Sequence, residues 1–314
     1  MISKKAQSTI FVIIGLVILI LAVLTYMFKD VVFESVLERG SAESTVLPEK
    51  AQKVNLYVES CIKETISDAV TILSSQGGYI AFPEDTQPRS VVNPFSNTLD
   101  LFDNGQSQVA YWFYEAANGV KKSQIPSRQM MESDIANFID RNLGQCFDDF
   151  NIFKKQGYVI SAQDPSSRVT IQEESVTARI SVPIELTIGD VQFTLRDFVV
   201  KQKSSLGKLH SQALAIMKKE NDESFIEDYA LDMMVVYDEI PFSGIDLECS
   251  PKTWSQSRIR EDYKSILGTN IPSIKIKGTQ YELTDETKYF EVDAGKAHKD
   301  ITVNFQYGIA WPIF

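Results

Sequence analysis

The run VTARISVPIELTIGDVQFTL, Val176 to Leu195, decides the fold. Val176, Ala178, Ile180, Val182, Ile184, Leu186 and Ile188 alternate strictly over thirteen residues. Gly189-Asp190 follows, and Val191, Phe193 and Leu195 alternate in turn. A period of two places these side chains on one face of a strand, and a two-residue turn with Gly first closes a tight hairpin. The opposite face stays polar, so helices are expected on one side of the sheet only. This is the α+β arrangement, with amphipathic helices on a mainly antiparallel sheet.

Working outward, Val54, Val58, Cys61, Ile62, Ile66, Ala69, Val70 and Leu73 recur at helical spacing between Glu49 and Ser75, and Gly77-Gly78 supplies a stop. Tyr79 to Phe82 is expected as a short strand, and Pro83 to Gln108 as a long loop around the Asp103-Asn104-Gly105 turn. A second helix starts at Pro126-Ser127, carries Met131, Ile135, Phe138, Ile139, Leu143, Cys146, Phe147 and Phe150, and ends near Gln156-Gly157. Beyond the hairpin, Leu206 to Lys219 and Glu223 to Val236 are expected as helices. Ser250-Pro251-Lys252-Thr253-Trp254 opens another, with Ile259, Tyr263, Ile266 and Leu267 on its buried face. Strands at Ile274 to Ile276, Tyr289 to Val292 and Ile301 to Ile309 are expected to close the chain. Residues 49–157 thus form a helical part and residues 158–314 an α+β part.

The chain opens on a different physics. Ile10 to Phe28 contains fourteen residues drawn from Ile, Leu, Val and Phe and no ionisable group. Nineteen residues at about 1.5 Å each give roughly 28 Å, which matches a hydrocarbon layer of about 30 Å. Residues 1–28 are therefore a cytoplasmic tip and a transmembrane helix, anchored in lipid through positions such as Ile10, Leu16, Ile18, Leu21 and Phe28. Lys29-Asp30-Val31-Val32-Phe33 after the span lacks the small-x-small pattern of a cleaved secretory signal. Lys4 and Lys5 precede the span, whereas Lys29 and Arg39 after it are interspersed with acids. The expected topology is single-pass in the cell membrane, N-terminus cytoplasmic and the body extracytoplasmic. Residues 29–48 extend the helix and form a short stalk.

At Lys5-Ala6-Gln7-Ser8-Thr9-Ile10-Phe11 the chain resembles the class III leader of archaeal type IV pilin-like proteins. The resemblance implies cleavage between Ala6 and Gln7, with Lys5 before the cut. Phe11 stands where many such pilins carry Glu. Further on, the pattern Tyr57-Val58-Glu59-Ser60-Cys61, Gly77-Gly78-Tyr79-Ile80, Cys146-Phe147, Cys249-Ser250-Pro251 with Trp254, and Trp311-Pro312 resembles an uncharacterised family of single-pass archaeal membrane proteins. That family brings no activity to carry over.

Composition bounds the chemistry. Setting aside Lys4 and Lys5 from the 31 basic residues leaves 29 against 42 acidic ones, a formal charge of −13 on the body. Such a surface repels phosphate backbones, so nucleic acid is not the expected partner. The three cysteines, Cys61, Cys146 and Cys249, lack Cys-x-x-Cys spacing, which argues against a metal site. In an oxidising exterior a Cys61–Cys146 disulfide is the first choice, because both lie on apolar helix faces; another pairing and three reduced core thiols are the alternatives. His210 and His298, the chain's two histidines, have no sequence-spaced partner, and no nucleophile elbow, zinc helix, phosphate loop or calcium loop occurs. Asp100, Asp103 and Asn104 fit a solvated turn. Met130-Met131, Met233-Met234 and the aromatic run Tyr111 to Tyr114 fit core packing, and the apolar Trp311-Pro312-Ile313-Phe314 fits docking onto the body.

The expectation is a membrane-anchored envelope protein with a non-catalytic extracytoplasmic interaction domain, no cofactor, and membrane lipid and a surface partner as its contacts. A pilin-like filament subunit is the first alternative. A surface hydrolase acting on glycans through paired carboxylates is the second.

Overall fold

The computed structural model describes residues 48–87, 96–101, 107–116, 118–241, 253–282 and 287–307. Lys5, Ala6 and Gln7 of the leader, the apolar run from Ile10 through Leu16, Ile18 and Leu21 to Phe28, the Asp103-Asn104 turn, Cys249 and the closing Trp311 to Phe314 lie outside the described residues. No helix among the described residues is long and apolar enough to cross a membrane.

Helix α1, Glu49–Ser75, buries Ala51, Val54, Val58, Cys61, Ile62, Ile66, Ala69 and Leu73, a stripe with steps of three and four. It stops where expected: the Gly78 N–H donates to Leu73 O at 2.8 Å. Helix α2, Arg128–Phe147, starts on Ser127, whose side chain accepts from the Met130 N–H, and buries Met131, Ile135, Ile139, Leu143 and Phe147 at steps of four. The two stripes face each other, and a disulfide joins Cys61 to Cys146 with Cα atoms 5.6 Å apart. After α2 the chain turns through three successive left-handed residues, Asp148, Asp149 and Phe150, with φ of 44°, 51° and 56°. This turn drops Phe150 into the core against Phe147, ring centroids 4.9 Å apart, before the short helix α3, Asn151–Lys154.

Four short strands form two hairpins between α1 and α2: β1 (Thr98–Asp100) with β2 (Gln108–Ala110), and β3 (Phe113–Glu115) with β4 (Lys121–Ser123). The first occupies part of the stretch expected as loop. Tyr79 to Phe82, expected as a strand, is not one. The Tyr79 hydroxyl donates to Gln124 O, so this segment is held by a side-chain bond in place of a ladder.

The main sheet contains β5 (Val159–Ala162), β6 (Ser166–Ile171), β7 (Ser175–Ile188) and β8 (Val191–Lys203). All pairings are antiparallel, with β7 in the middle, β8 along one side, and β5 and β6 end to end along the other. The two-residue turn places Ile188 opposite Val191, with Gly189 at φ 62°, a conformation available to glycine at no steric cost. Val176, Ala178, Ile180, Val182, Ile184 and Leu186 are buried beneath α1 and α2. Arg179, Ser181 and Glu185 face away, so helices cover one side of the sheet.

One irregularity shapes this sheet. Register shifts between Ser181 and Ile184: Ser181 faces Asp197 and Ile184 faces Leu195, so β7 spends two residues, Val182 and Pro183, against Arg196 alone. Proline has no N–H to give a ladder, and inside a central strand it is tolerated at a bulge. Strand β8 answers by changing phase. Phe193 and Leu195 point inward before the step, Phe198 and Val200 after it.

A second core lies beyond the sheet, built from helices α4 (Leu206–Glu223), α5 (Phe225–Val236) and α6 (Gln256–Asn270) and a short parallel pair, β9 (Lys275–Ile276) with β10 (Glu291–Val292). Phe225, Met233, Tyr263, Ile266, Leu267, Ile274 and Ile276 fill it. Two expectations need correction here. Of the stretch expected as a strand at Tyr289 to Val292, a 3₁₀ turn takes Thr287–Phe290 and leaves two residues for β10. Residues 301–307 run outside any ladder; the Gln280 N–H donates to Ile301 O at 2.7 Å, while Val303, Phe305 and Tyr307 pack on the second core.

Candidate functional site

Where the two cores meet, the turn between β6 and β7 presents Gln172, Glu173 and Glu174 to the first turn of α4. The approach is set by a missing side chain: a Cβ on Gly207 would lie 2.2 Å from Gln172 O. Backbone packed on backbone brings Lys208 between two carboxylates, at 2.7 Å from Glu174 and 2.8 Å from Asp300. Glu173 collects Lys296 at 3.3 Å, Arg128 at 3.6 Å and His298 at 3.8 Å. Gln212, 2 % exposed, ties the strap 296–298 to α4: its Nε2 donates to Lys296 O and its Oε1 accepts from the His298 N–H.

The charges of this seam are mutually stabilised. Desolvation pushes the Glu173 carboxyl up, but the hydrogen bond and charge of Lys296, with Arg128 and His298, hold it below its usual value. Lys208 holds Glu174 and Asp300 below theirs, and in return those two carboxylates raise the Lys208 ammonium to about 12. A shallow depression beside the seam is lined by Gln172, Glu173, Glu174, Ser175, Lys201 and Lys203.

Ser211, His298 and Glu173 have the composition of a hydrolase triad and the wrong geometry for one. The Ser211 hydroxyl lies 3.2 Å from His298 Nε2, and Glu173 lies on the same nitrogen. A relay needs the carboxylate on the opposite ring nitrogen, holding the imidazole while the first nitrogen takes the hydroxyl proton. The Ser211 hydroxyl also donates to Lys208 O at 3.0 Å, inside its own helix. These three residues form a clamp between α4, the hairpin turn and the strap.

His210, one residue away, is a core histidine. Its Nε2 is 2.8 Å from Pro126 O, so that nitrogen carries the proton, since a carbonyl only accepts. Its ring sits 5.7 Å from Trp112, whose Nε1 donates to Gly77 O. The aromatic run is thus divided: Trp112 locks the end of α1 to α4, while Phe113 is 41 % exposed. Met131 and Met233 are core residues.

A second carboxylate cluster lies at the junction of α4 and α5. Glu220 accepts from the Ile226 N–H at 3.1 Å and has the Glu227 carboxyl as its charged neighbour. Desolvation first, then Glu227, raise the Glu220 carboxyl to about 7. No group of three or more His, Cys, Asp and Glu able to hold a metal ion occurs among the described residues.

Of the residues singled out in the sequence, the structure brings together Cys61 and Cys146. The seam itself passed unnoticed, and its one local signal was the adjacent Glu173-Glu174 in a tight turn. No family model, curated protein or solved structure matches this chain.

Proposed function

We propose that this chain is a membrane-anchored cell-envelope protein whose body, held outside the cytoplasm by the span at residues 10–28, serves as a non-catalytic interaction domain. The observation that carries the proposal is the Cys61–Cys146 bond, which closes a separation of 85 residues by joining the middle of α1 to the last turn of α2. Such bonds persist in oxidising compartments and are rare where thiols are kept reduced. The long apolar N-terminal run supports the same side of the membrane. The seam supports a non-catalytic reading, because the Glu173 carboxylate lies on the same His298 nitrogen that faces Ser211 and so leaves no relay.

The test is thiol accounting in protein taken from cells under acid quench, denatured and reacted with a mass-tagged maleimide. One adduct, on Cys249, is expected without reductant and three after reduction. Three adducts without reductant would place the body in a reducing compartment and overturn the proposal.

A further inference from the structure

Strand β8 is a long edge. It runs thirteen residues, Val191–Lys203, about 43 Å at 3.3 Å per residue, and among the described residues it pairs with β7 on one side and with no strand on the other. Folded proteins normally blunt such an edge with a proline, a bulge or a short strand. Here the proline and the extra residue belong to β7, and β8 carries no proline and no inserted residue, its alternation stepping once at Arg196 and Asp197.

We propose that this edge pairs antiparallel with β8 of a second copy of the chain, about a twofold axis passing between Arg196 and Asp197. The phase step in β8 carries the proposal. Read outward from the point between Arg196 and Asp197, the strand has the same alternation in both directions: Arg196 and Asp197 exposed, Leu195 and Phe198 buried, Thr194 and Val199 exposed, Phe193 and Val200 facing inward. A strand edge joins another without turning core residues to solvent only when inward residues meet inward residues. About this axis Leu195 meets Phe198 of the second copy, and Phe193 meets Val200, along the whole strand. Slipping the register by one residue opposes Leu195 to Asp197 or Arg196 to Phe198. Because each strand carries the same step, the two steps coincide on the axis and the ladders on either side stay in phase.

Charge selects the same axis. Arg196 falls opposite Asp197 of the second copy, and Asp197 opposite its Arg196, giving two reciprocal pairs on the helix-free face. Opposite charges directly across strands stabilise a sheet, and like charges destabilise it. Neither residue has an ion-pair partner among the described residues of its own chain. Asp197 is the one acid of β8, so the strand itself brings little like charge to the contact in an otherwise acidic molecule. The contact is isologous and closed, and yields a dimer with the sheet continuous through both copies.

The test uses the full-length chain in a non-ionic detergent, with its mass read by light scattering at micromolar concentration. A dimer is expected. Arg196→Asp turns two attractive pairs into two repulsive ones and weakens the dimer about tenfold or more, and adding Asp197→Arg restores it. Independently, the T194C/V199C double variant forms a disulfide-linked dimer on mild oxidation, because facing residues lie about 4.5 to 5.5 Å apart between Cα atoms, within bonding range. T194C alone shows no more crosslinking than wild type, since residue 194 faces residue 199. A monomeric chain, a dimer indifferent to Arg196→Asp, or a T194C/V199C variant that does not crosslink would each overturn the proposal. This inference concerns the sheet edge and stands apart from the compartment of the body, so its failure leaves the thiol accounting untouched.

Discussion

At the scale of single residues, the molecule depends on positions whose importance is a matter of fit. Gly207 is the clearest: a methyl group there meets the carbonyl of Gln172, which is backbone and has no rotamer to yield. Gly207→Ala is expected to lower unfolding free energy by about 2 kcal/mol or more in urea denaturation, despite the better helix propensity of alanine. Glu220 offers a test of opposite sign. Its carboxyl is raised from 4.5 to about 7 in the folded chain. The folded state therefore binds more protons than the unfolded between those values, and stability declines as pH rises through that window. Glu220→Gln keeps an acceptor for the Ile226 N–H and removes the repulsion with Glu227. Discounted for partial exposure, the variant should gain on the order of 1 kcal/mol over wild type at pH 8 and nothing at pH 4.5. Equal stability differences at both pH values would contradict the assignment. Neither residue was legible in the sequence. Gly207 looks like an ordinary helix position, and Glu220 gains its character from the left-handed Ser224 that brings the start of α5 back to it.

At the scale of elements, legibility followed the strength of local period. The alternation from Val176 to Ile188 gave the hairpin and its inward face, and the steps of three and four in α1 and α2 gave their buried stripes. Where period was short the reading failed. Tyr79 to Phe82 has strand-forming residues but is claimed by the Tyr79–Gln124 bond, and residues 301–307 alternate without finding a strand to pair with. The phase step in β8 was written in the spacing of Leu195 and Phe198, but β7 reads through Pro183 without interruption, which hides the bulge from one strand alone. The disulfide belongs to this scale, since it fastens α1 to α2. Replacing both Cys61 and Cys146 with alanine is expected to cost about 2 to 5 kcal/mol, measured by thermal unfolding, because the unfolded chain regains the freedom of a long loop. An unchanged midpoint would mean that packing along the two stripes alone fixes the helical layer.

At the scale of the whole molecule, the seam includes contacts as much as 123 residues apart in sequence, which no spacing rule detects. Its carboxylates, Glu173, Glu174 and Asp300, have folded values below the 4.5 and 3.8 of unfolded Glu and Asp. Their contribution is thus present above those values and is lost as pH falls through the lower folded ones. Lys296→Met should narrow this acid transition as followed by the emission of Trp112, while leaving the pH 7 fold intact; an acid transition identical to wild type would remove the seam from the account. On the proposed reading, the acidic composition would keep the body soluble beyond the membrane, and the apolar run from Ile10 to Phe28 would place it there. Protease added to intact cells measures that placement most directly. The account predicts that the body is digested on intact cells while a tag fused ahead of Met1 survives until the membrane is opened. A body that resists protease on intact cells and is cut only after lysis would contradict it.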